Sequence, residues 1–311
     1  MQKKIKKMFF YIKNGTFIHL VFQKISLKFI TIISKNKNAS IYLLQCRHYK
    51  KLYRQFSYLL NDNLTGEKKK SDFVWFCWLQ GYDKAPDLIR ACYDSVRVNL
   101  SGKNIIFLTE ENIHKYVEFP KYITEKYEKG IIGKAHYSDL VRISLLCEYG
   151  GIWIDSTVLC TSPEFIDYIT DLPIFVFKQI DLIRNDEQPI MASNWLISSE
   201  SNNEICVLTR NLLYKYWEKY NYALDYFIFH LFFAMAAKKY KNIWENIPVF
   251  NNVNPHIMQL ELNNSFFVTR WNQLLKISGI HKLNHHVNYA DRGTIYGFII
   301  NNFRIGRDID E

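Results

Sequence analysis

The stretch that decides the fold runs from residue 136 to residue 161 and reads HYSDLVRISLLCEYGGIWIDSTVLCT. Apolar residues recur in its first half at helical spacing, and Ser138 can cap that helix. Asp139 and Arg142 then fall one turn apart on one helix face. Gly150-Gly151 supplies the permissive backbone that ends a helix and leads into a strand.

The residues after the two glycines predict a short buried strand. Ile152, Trp153 and Ile154 are bulky and apolar, and they place Asp155 at the carboxyl end of the strand. Ligands bind at that edge in open α/β sheets, and a carboxylate there can hold a divalent cation that bridges phosphates. Each feature taken singly is also explained by a surface ion pair, a turn or a helix cap, so the hypothesis depends on the ordered set.

That ordered set resembles the S-D-x-x-R … G-G-x-[WY]-x-D block of sugar-nucleotide glycosyltransferases of family 32 type. The W-x-D-x-T ending is most similar to their bacterial relatives, the capsular polysaccharide synthesis proteins, and the resemblance covers roughly residues 73–286. It implies a GT-A-like α/β catalytic domain with a mostly parallel central sheet. It also implies a retaining enzyme that moves a sugar from a nucleotide-diphosphate donor, such as a UDP-sugar, to a glycan or lipid-linked glycan of the cell surface or capsule.

The same resemblance assigns roles within the block. Asp155 is expected to be catalytic and to hold Mn²⁺ or Mg²⁺, while Asp139 and Arg142 bind the hydroxyls of the donor sugar, with Gly151 in the donor-binding set. The family's second aspartate is missing from Asp155-Ser156-Thr157, so Thr157 or a water is expected to replace it as a ligand.

Residues outside the block also match the family. By resemblance, Trp78 stacks on the nucleotide base and Gly81 lets the backbone approach the ligand. Asn194 and Trp195, in MASNWLISS, are expected near the sugar, with Asn194 catalytic and Trp195 binding the donor. Asp225, in a D-Y-F motif, is expected to be catalytic and to lie near an acceptor hydroxyl. Without the resemblance, the two tryptophans are core residues, Asn194 is a turn residue and Asp225 is a carboxylate at a helix start.

The tail from residue 280 reads IHKLNHH and resembles the K-L-x-[HY]-K motif that ends these domains. It implies that Lys282 meets the diphosphate and that a histidine completes the metal site. His285 is the assigned ligand, although strand alternation leaves His281 and His286 open as alternatives. His230, on an apolar helix, is predicted to be a core residue.

Composition separates a basic leader from the rest of the 311-residue chain. Residues 1–60 hold 13 Lys and Arg and no Asp or Glu, so the remainder carries 27 Lys and Arg against 30 Asp and Glu. The positive charge is therefore confined to the leader, which argues against a general nucleic-acid surface. We predict a basic helical leader over 1–60, a linker over 61–72 and the catalytic domain over 73–311.

The leader has two interpretations. Lysines fall on one stripe of a predicted helix with apolar residues opposite, which is typical of a helix lying in an anionic membrane surface. The alternative is that the helix packs on its own catalytic domain.

The longest uncharged run, 14–23, is too short to span a bilayer, and six cysteines without metal-site spacing fit a reducing cytoplasm. The predicted location is thus cytoplasmic, on the inner face of the membrane.

Two rival functions remain open from the sequence. The missing second aspartate permits a non-catalytic relative that binds a nucleotide or glycan. The leader permits a membrane-associated structural partner in a polysaccharide assembly complex. An enzyme with a nucleotide-sugar donor is the primary hypothesis.

Overall fold

The structure, a computed structural model, describes residues 12–62, 64, 66–179 and 188–303, apart from the side chains of His19, Leu20 and Gln23. The start of the predicted leader, 1–11, and the end of the predicted catalytic domain, 304–311, lie outside the described residues.

A five-stranded sheet forms the centre of the molecule, in the order β2-β1-β3-β6-β5. Strands β1, β2 and β3 pair in parallel, while β6 is antiparallel to both β3 and β5, so four strands point the same way. The predicted α/β class with a mostly parallel sheet is therefore confirmed. Two short strands, β4 and β7, form a separate antiparallel pair. The strands are β1 Phe73–Cys77, β2 Asn104–Leu108, β3 Gly151–Ile154, β4 Val158–Cys160, β5 Ile174–Lys178, β6 Ala192–Ser199 and β7 Ile280–Lys282.

Helices surround the sheet and precede it. They are α1 Phe17–Ser34, α2 Lys37–Phe56, α3 Asp87–Asn99, α4 Lys121–Glu128, α5 Lys134–Glu148, α6 Glu164–Thr170, α7 Glu204–Lys219, α8 Ile228–Lys239, α9 Lys241–Asn246, α10 Ile257–Leu260, α11 Val268–Ile277 and α12 Ile295–Asn302. Helices α5, α7 and α8 present buried faces to one another and to the sheet, and that packing places α5 over the carboxyl end of β3.

Gly151 is required where β3 begins, because its φ is +89° and a Cβ there would lie 2.4 Å from the carbonyl oxygen of Phe73. Only glycine permits this close approach between β3 and β1. Gly151 therefore lies at the opposite end of β3 from Asp155. Strand packing explains the glycine at this position, and the place of Gly151 in the donor-binding set stays a prediction.

Two helix starts differ from the sequence prediction. Helix α5 begins at Lys134, directly after Gly133, so Ser138 lies inside the helix and does not cap it. The sequence predicts a helix over 223–239, whereas helix α8 begins at Ile228. Asp225 accepts a hydrogen bond from the Phe227 backbone N–H at 2.9 Å, and such a local side-chain bond competes with helical backbone pairing.

The two N-terminal helices behave differently from each other. Helix α2 packs on the body, where Leu52 and Phe56 join the main core and the Phe56 ring meets Phe232 edge to face at 5.6 Å. Helix α1 packs against α2 and leaves large apolar side chains in water, including Phe22, Phe29 and Ile33. The two interpretations of the leader concern the lysine-striped helix, which is α1. Membrane association and packing on the catalytic domain both stay predictions for it, as does the division into leader, linker and domain. Among the described residues, no helix combines the length and apolar character needed to cross a membrane.

Candidate active site

An open cavity of about 590 Å³, which we call the Asp155 cavity, lies at the carboxyl edge of β1 and β3. The parallel pair Phe76–Ile154 brings the two strand ends together, and the antiparallel strand β6 starts at the same edge. Predicted site residues that line it are Asp139, Arg142, Asp155, Asn194, Trp195, Lys282 and His285. The structure thus brings together residues that span more than 140 positions of the chain.

Asp155 is the centre of the polar network in this cavity. One carboxylate oxygen accepts hydrogen bonds from Arg142 at 3.0 Å and from the Trp153 indole at 2.8 Å, and the other accepts from the Lys282 ammonium at 3.0 Å. Burial alone would raise the pKa of Asp155, but these two cations and the indole bond outweigh it and hold the pKa below its usual range. Asp155 is therefore ionised, and it fixes two positive side chains.

Arg142 connects helix α5 to β6 as well as to Asp155. Its guanidinium donates to the Asn194 carbonyl oxygen at 2.6 Å and lies 4.7 Å from the centre of the Trp153 ring. The side chain is only 6% exposed. The planar guanidinium stacks on a ring and donates hydrogen bonds on two sides, which a lysine ammonium cannot do.

Asp139 is the less compensated of the two carboxylates. Its closest Arg142 nitrogen is 3.5 Å away, against 3.0 Å for Asp155, while the Asn194 amide donates to it at 2.9 Å. Burial raises the pKa of Asp139 to about 7, with Arg142 opposing the shift and Asp155 adding to it. Two carboxylates that share one arginine therefore have pKa values moved in opposite directions, a pattern typical of functional sites.

Lys282 occupies the place that the sequence assigns to a metal ion. Its ammonium bonds both Asp155 Oδ2 and Thr157 Oγ1, which are two of the three predicted ligands. A divalent cation held between these oxygens would lie against that ammonium, so the residues as arranged do not fit it. In the part of the chain that the structure describes, no three His, Cys, Asp or Glu side chains are grouped closely enough to hold a metal ion.

The three tail histidines separate in the structure. His285 lines the Asp155 cavity, and its ring meets the Trp78 ring edge to face at 5.4 Å. His286 is exposed beside it, whereas His281 is buried and its Nε2 lies 3.3 Å from Thr161 Oγ1. Strand β7 ends at Lys282, so the predicted alternation of faces does not continue to His285, and His281 is excluded from the site.

Three further predicted residues lie away from the cavity lining. Trp78 is half-buried behind His285. Gly81 closes a turn by donating its N–H to the Trp78 carbonyl oxygen, at a φ of +86°. Asp225 is bound by His48 of helix α2, with Nδ1 2.7 Å from Oδ2, so its carboxylate faces α2, and its contact with an acceptor hydroxyl stays a prediction.

The sequence prediction missed part of the wall. Tyr226, Phe227 and His230 line the cavity, together with Gln179 from the end of β5. Burial and then Arg142 lower the pKa of His230 to about 4, and its Nδ1 has no hydrogen-bond partner among the described residues. The D-Y-F motif was the available signal: its Tyr226 and Phe227 line the cavity, whereas its Asp225 is bound by His48 of α2.

Comparison with known proteins identifies a family. The model of a family described as "Capsular polysaccharide synthesis protein" matches residues 21–299. The chain belongs to this family. The match confirms the capsular part of the resemblance, while the family 32 part stays a prediction. The family match begins at residue 21, inside α1, so it covers most of the predicted leader.

Other comparisons add less. No curated protein matches the capsular synthesis protein significantly. Among solved structures it is similar to one described as "PaToxG Glycosyltransferase", at 15% identity and a TM-score of 0.38, over 85% of this chain and 96% of that one. A likeness at that score carries no argument about activity.

Proposed function

We propose that this protein is a glycosyltransferase that moves a sugar from a nucleotide-diphosphate donor, of UDP-sugar type and with retention, to a glycan of the cell surface or capsule. One observation carries the proposal. In a member of a capsular polysaccharide synthesis family, a carboxylate, a guanidinium, an amide and an ammonium converge in one open cavity at the carboxyl edge of the sheet.

The proposed roles follow from the charges. The Lys282 ammonium, 20% exposed, is the positive group that meets the leaving diphosphate and stabilises its developing charge. Asp155 orients Lys282 and Arg142 by accepting from both. Asp139 and Asn194, bonded to each other, present oxygen and amide groups to the hydroxyls of the donor sugar.

Aromatic residues of the cavity wall are placed to contact a sugar ring of the substrate. Tyr226 is 68% exposed and Phe227 is half-buried, so they offer aromatic faces to a sugar ring. Trp195 is buried at the base, where its indole N–H donates to Asn252 and its ring stacks on Phe177 at 4.9 Å. These contacts hold Trp195 rigidly in place, and the stacking of Trp78 on a base stays a prediction.

Donor binding is the direct test. The protein should show a rise in melting temperature with one nucleotide sugar of a panel, because a ligand that binds only the native state stabilises it. Lys282→Met should remove that rise, while the exposed control Lys276→Met should keep it. A rise in melting temperature without sugar transfer to any glycan would instead favour a non-catalytic relative that binds the nucleotide.

Metal dependence is a separate prediction. If Lys282 meets the diphosphate, EDTA should leave transfer within about threefold of the untreated rate, whereas Lys282→Met should lower it by about 10²-fold or more, the size seen when one preorganised donor is removed. Loss of activity with EDTA, restored by Mn²⁺ or Mg²⁺, would show that the expected cation binds and displaces Lys282 from Asp155.

We also propose association with the inner face of the cell membrane through helix α1. Ile25, Phe29 and Ile32 are each more than half exposed on α1, beside the exposed Lys24 and Lys28. A helix of this kind lies in an interface by burying its apolar face while its lysines meet anionic lipid.

Vesicle binding tests this association. Ile25→Asn with Phe29→Asn should weaken binding to anionic vesicles at least tenfold, since burying each such side chain is worth about 1.5–3 kcal/mol. Val249→Asn with Val253→Asn, which alters two equally exposed valines of the body, is the control. Equal losses in both variants would contradict a role for α1.

A further inference from the structure

A second, larger cavity lies outside the Asp155 cavity. It has a volume of about 820 Å³ and is enclosed by α1, α2 and residues 222–224. We call it the Arg47 pocket, after one of the α2 residues that line it. Nothing in the proposed transfer reaction uses it.

The pocket wall from α2 is strongly basic. Arg47, Lys50, Lys51 and Arg54 line it, and their spacing of three, four and seven residues places them on one helix face. All four are exposed, and none forms an ion pair within the described part of the chain. Because residues 1–60 contain no Asp or Glu, the leader cannot neutralise this charge itself. The pocket therefore offers several unpaired cations to one anion.

Part of the pocket lining is apolar. Phe22 of α1, 63% exposed, and Leu43 of α2, 49% exposed, line the same pocket, and the exposed apolar residues of α1 continue from Phe22. A free phosphate would use only the basic wall. An amphiphile uses both, because its head meets the cations while its chain follows the apolar surface of α1.

The pocket also adjoins a chain segment that lines the Asp155 cavity. Its third wall is Tyr222 and Leu224, and His48 at its base bonds Asp225. The next two residues, Tyr226 and Phe227, line the Asp155 cavity. A head group held in the pocket would thus lie beside the chain segment shared by the two cavities.

We infer that the Arg47 pocket binds the phosphate head group of a membrane lipid, with a preference for a phosphate that carries more than one negative charge. This inference rests on the membrane association proposed above and makes it selective. Diffuse attraction depends on the surface charge of the vesicle, whereas four converging cations respond to the charge of each head group.

The experiment uses the full chain and two sets of vesicles with equal surface charge, one containing a phosphomonoester lipid (phosphatidic acid) and the other a phosphodiester lipid (phosphatidylglycerol). The wild-type protein should bind the first at least fivefold more tightly. The triple variant Arg47→Gln, Lys51→Gln, Arg54→Gln should bring the ratio close to one. The matched control Lys24→Gln, Lys28→Gln, Lys37→Gln removes the same charge outside the pocket, and should weaken both affinities together while keeping the ratio.

Three results would overturn the inference. A wild-type protein without head-group preference would do so, and so would a control triple that loses the preference as fully as the pocket triple. The third result combines two measurements: inorganic pyrophosphate raises the melting temperature of the wild type but not of the pocket triple, and neither set of vesicles is preferred. It would show that the pocket binds a free phosphate. Vesicle binding without preference would leave the membrane association itself standing.

Discussion

The Asp155 cavity and the Arg47 pocket both carry several positive side chains, but they differ in what faces those charges. In the cavity, Arg142 is buried and Lys282 largely so, and both are bonded to Asp155. In the pocket, Arg47 and Arg54 are exposed and have no acidic partner among the described residues. The first arrangement is coupled to the stability of the fold, and the second is available to an outside anion.

This difference follows from desolvation. A buried cation must be compensated inside the protein, because removing its partner leaves a charge in a medium of low polarity. An exposed cation is solvated by water, so its pairing is optional and contributes little. Substitutions should therefore affect stability strongly in the cavity and weakly in the pocket.

The largest stability effect is expected for Asp155→Asn. It leaves Arg142 and Lys282 without a counter-charge, and breaking a buried pair of this kind costs about 3–5 kcal/mol of unfolding free energy. Urea denaturation measures this loss. Glu245→Gln, which breaks an exposed pair with Lys241, is the control and should change stability by less than about 1 kcal/mol. Similar losses in the two variants would show that the network is not stabilising.

The pH dependence of stability should come next. Asp139 has a pKa of about 7 in the folded protein against 3.8 for the free side chain, so the folded state holds its proton more tightly. Its contribution to stability is fully present below pH 3.8 and is lost as the pH rises through about 7. The slope from this one group is at most about 1.4 kcal/mol per pH unit.

Comparison of the wild type with Asp139→Asn isolates that slope. The difference between their unfolding free energies, measured from pH 4 to pH 8, should decrease with rising pH and level off above 7. A flat difference would contradict the raised pKa of Asp139. Donor binding should strengthen over the same range, because ionisation makes both carboxylate oxygens acceptors for sugar hydroxyls, whereas the protonated form donates through one of them.

His48→Ala should have a smaller effect. It removes the partner of Asp225 Oδ2, both side chains being about 10% exposed, and leaving one such group unsatisfied costs about 1–3 kcal/mol. Exposed His114→Ala is the control. A double-mutant cycle with Asp225→Asn should give a coupling energy of at least about 0.5 kcal/mol, and additive losses would show that the two groups act separately.

The smallest effect is expected in the Arg47 pocket. Arg47→Gln, Lys51→Gln and Arg54→Gln together should change the free energy of unfolding by less than about 0.5 kcal/mol per site, since exposed substitutions without partners rarely do more. Urea denaturation of the triple variant measures this. A loss comparable to that of Asp155→Asn would mean that these cations are needed for packing.

Local sequence patterns were enough to predict much of the fold. The apolar run at Phe73, the helix before Gly150 and the strand ending at Asp155 are each specified by residues within one element, and the strands at 104–108 and 174–178 have the predicted bounds. Errors occurred where a side chain competed with the backbone, as Asp225 does before α8. Motif residues such as Asp139, Arg142 and Asp155 line the Asp155 cavity. Tyr226, Phe227 and His230 were not assigned to it, since an apolar helix pattern does not distinguish a cavity wall from a core.

By itself, the sequence determined the α/β class, the concentration of positive charge in the leader and the chemistry gathered at the carboxyl end of β3. Hydrophobic periodicity, glycine and charge are local properties, and each acts within a few residues. The tertiary structure alone decided how the charges pair. Asp139 and Arg142, spaced like a surface ion pair, are buried because α5 packs over β3 and β6, and Lys282 reaches Asp155 because β7 pairs with β4. Most of this pairing joins different elements, 13 positions apart for Arg142 and Asp155 and 127 apart for Lys282 and Asp155, and a pattern within one element does not contain that information.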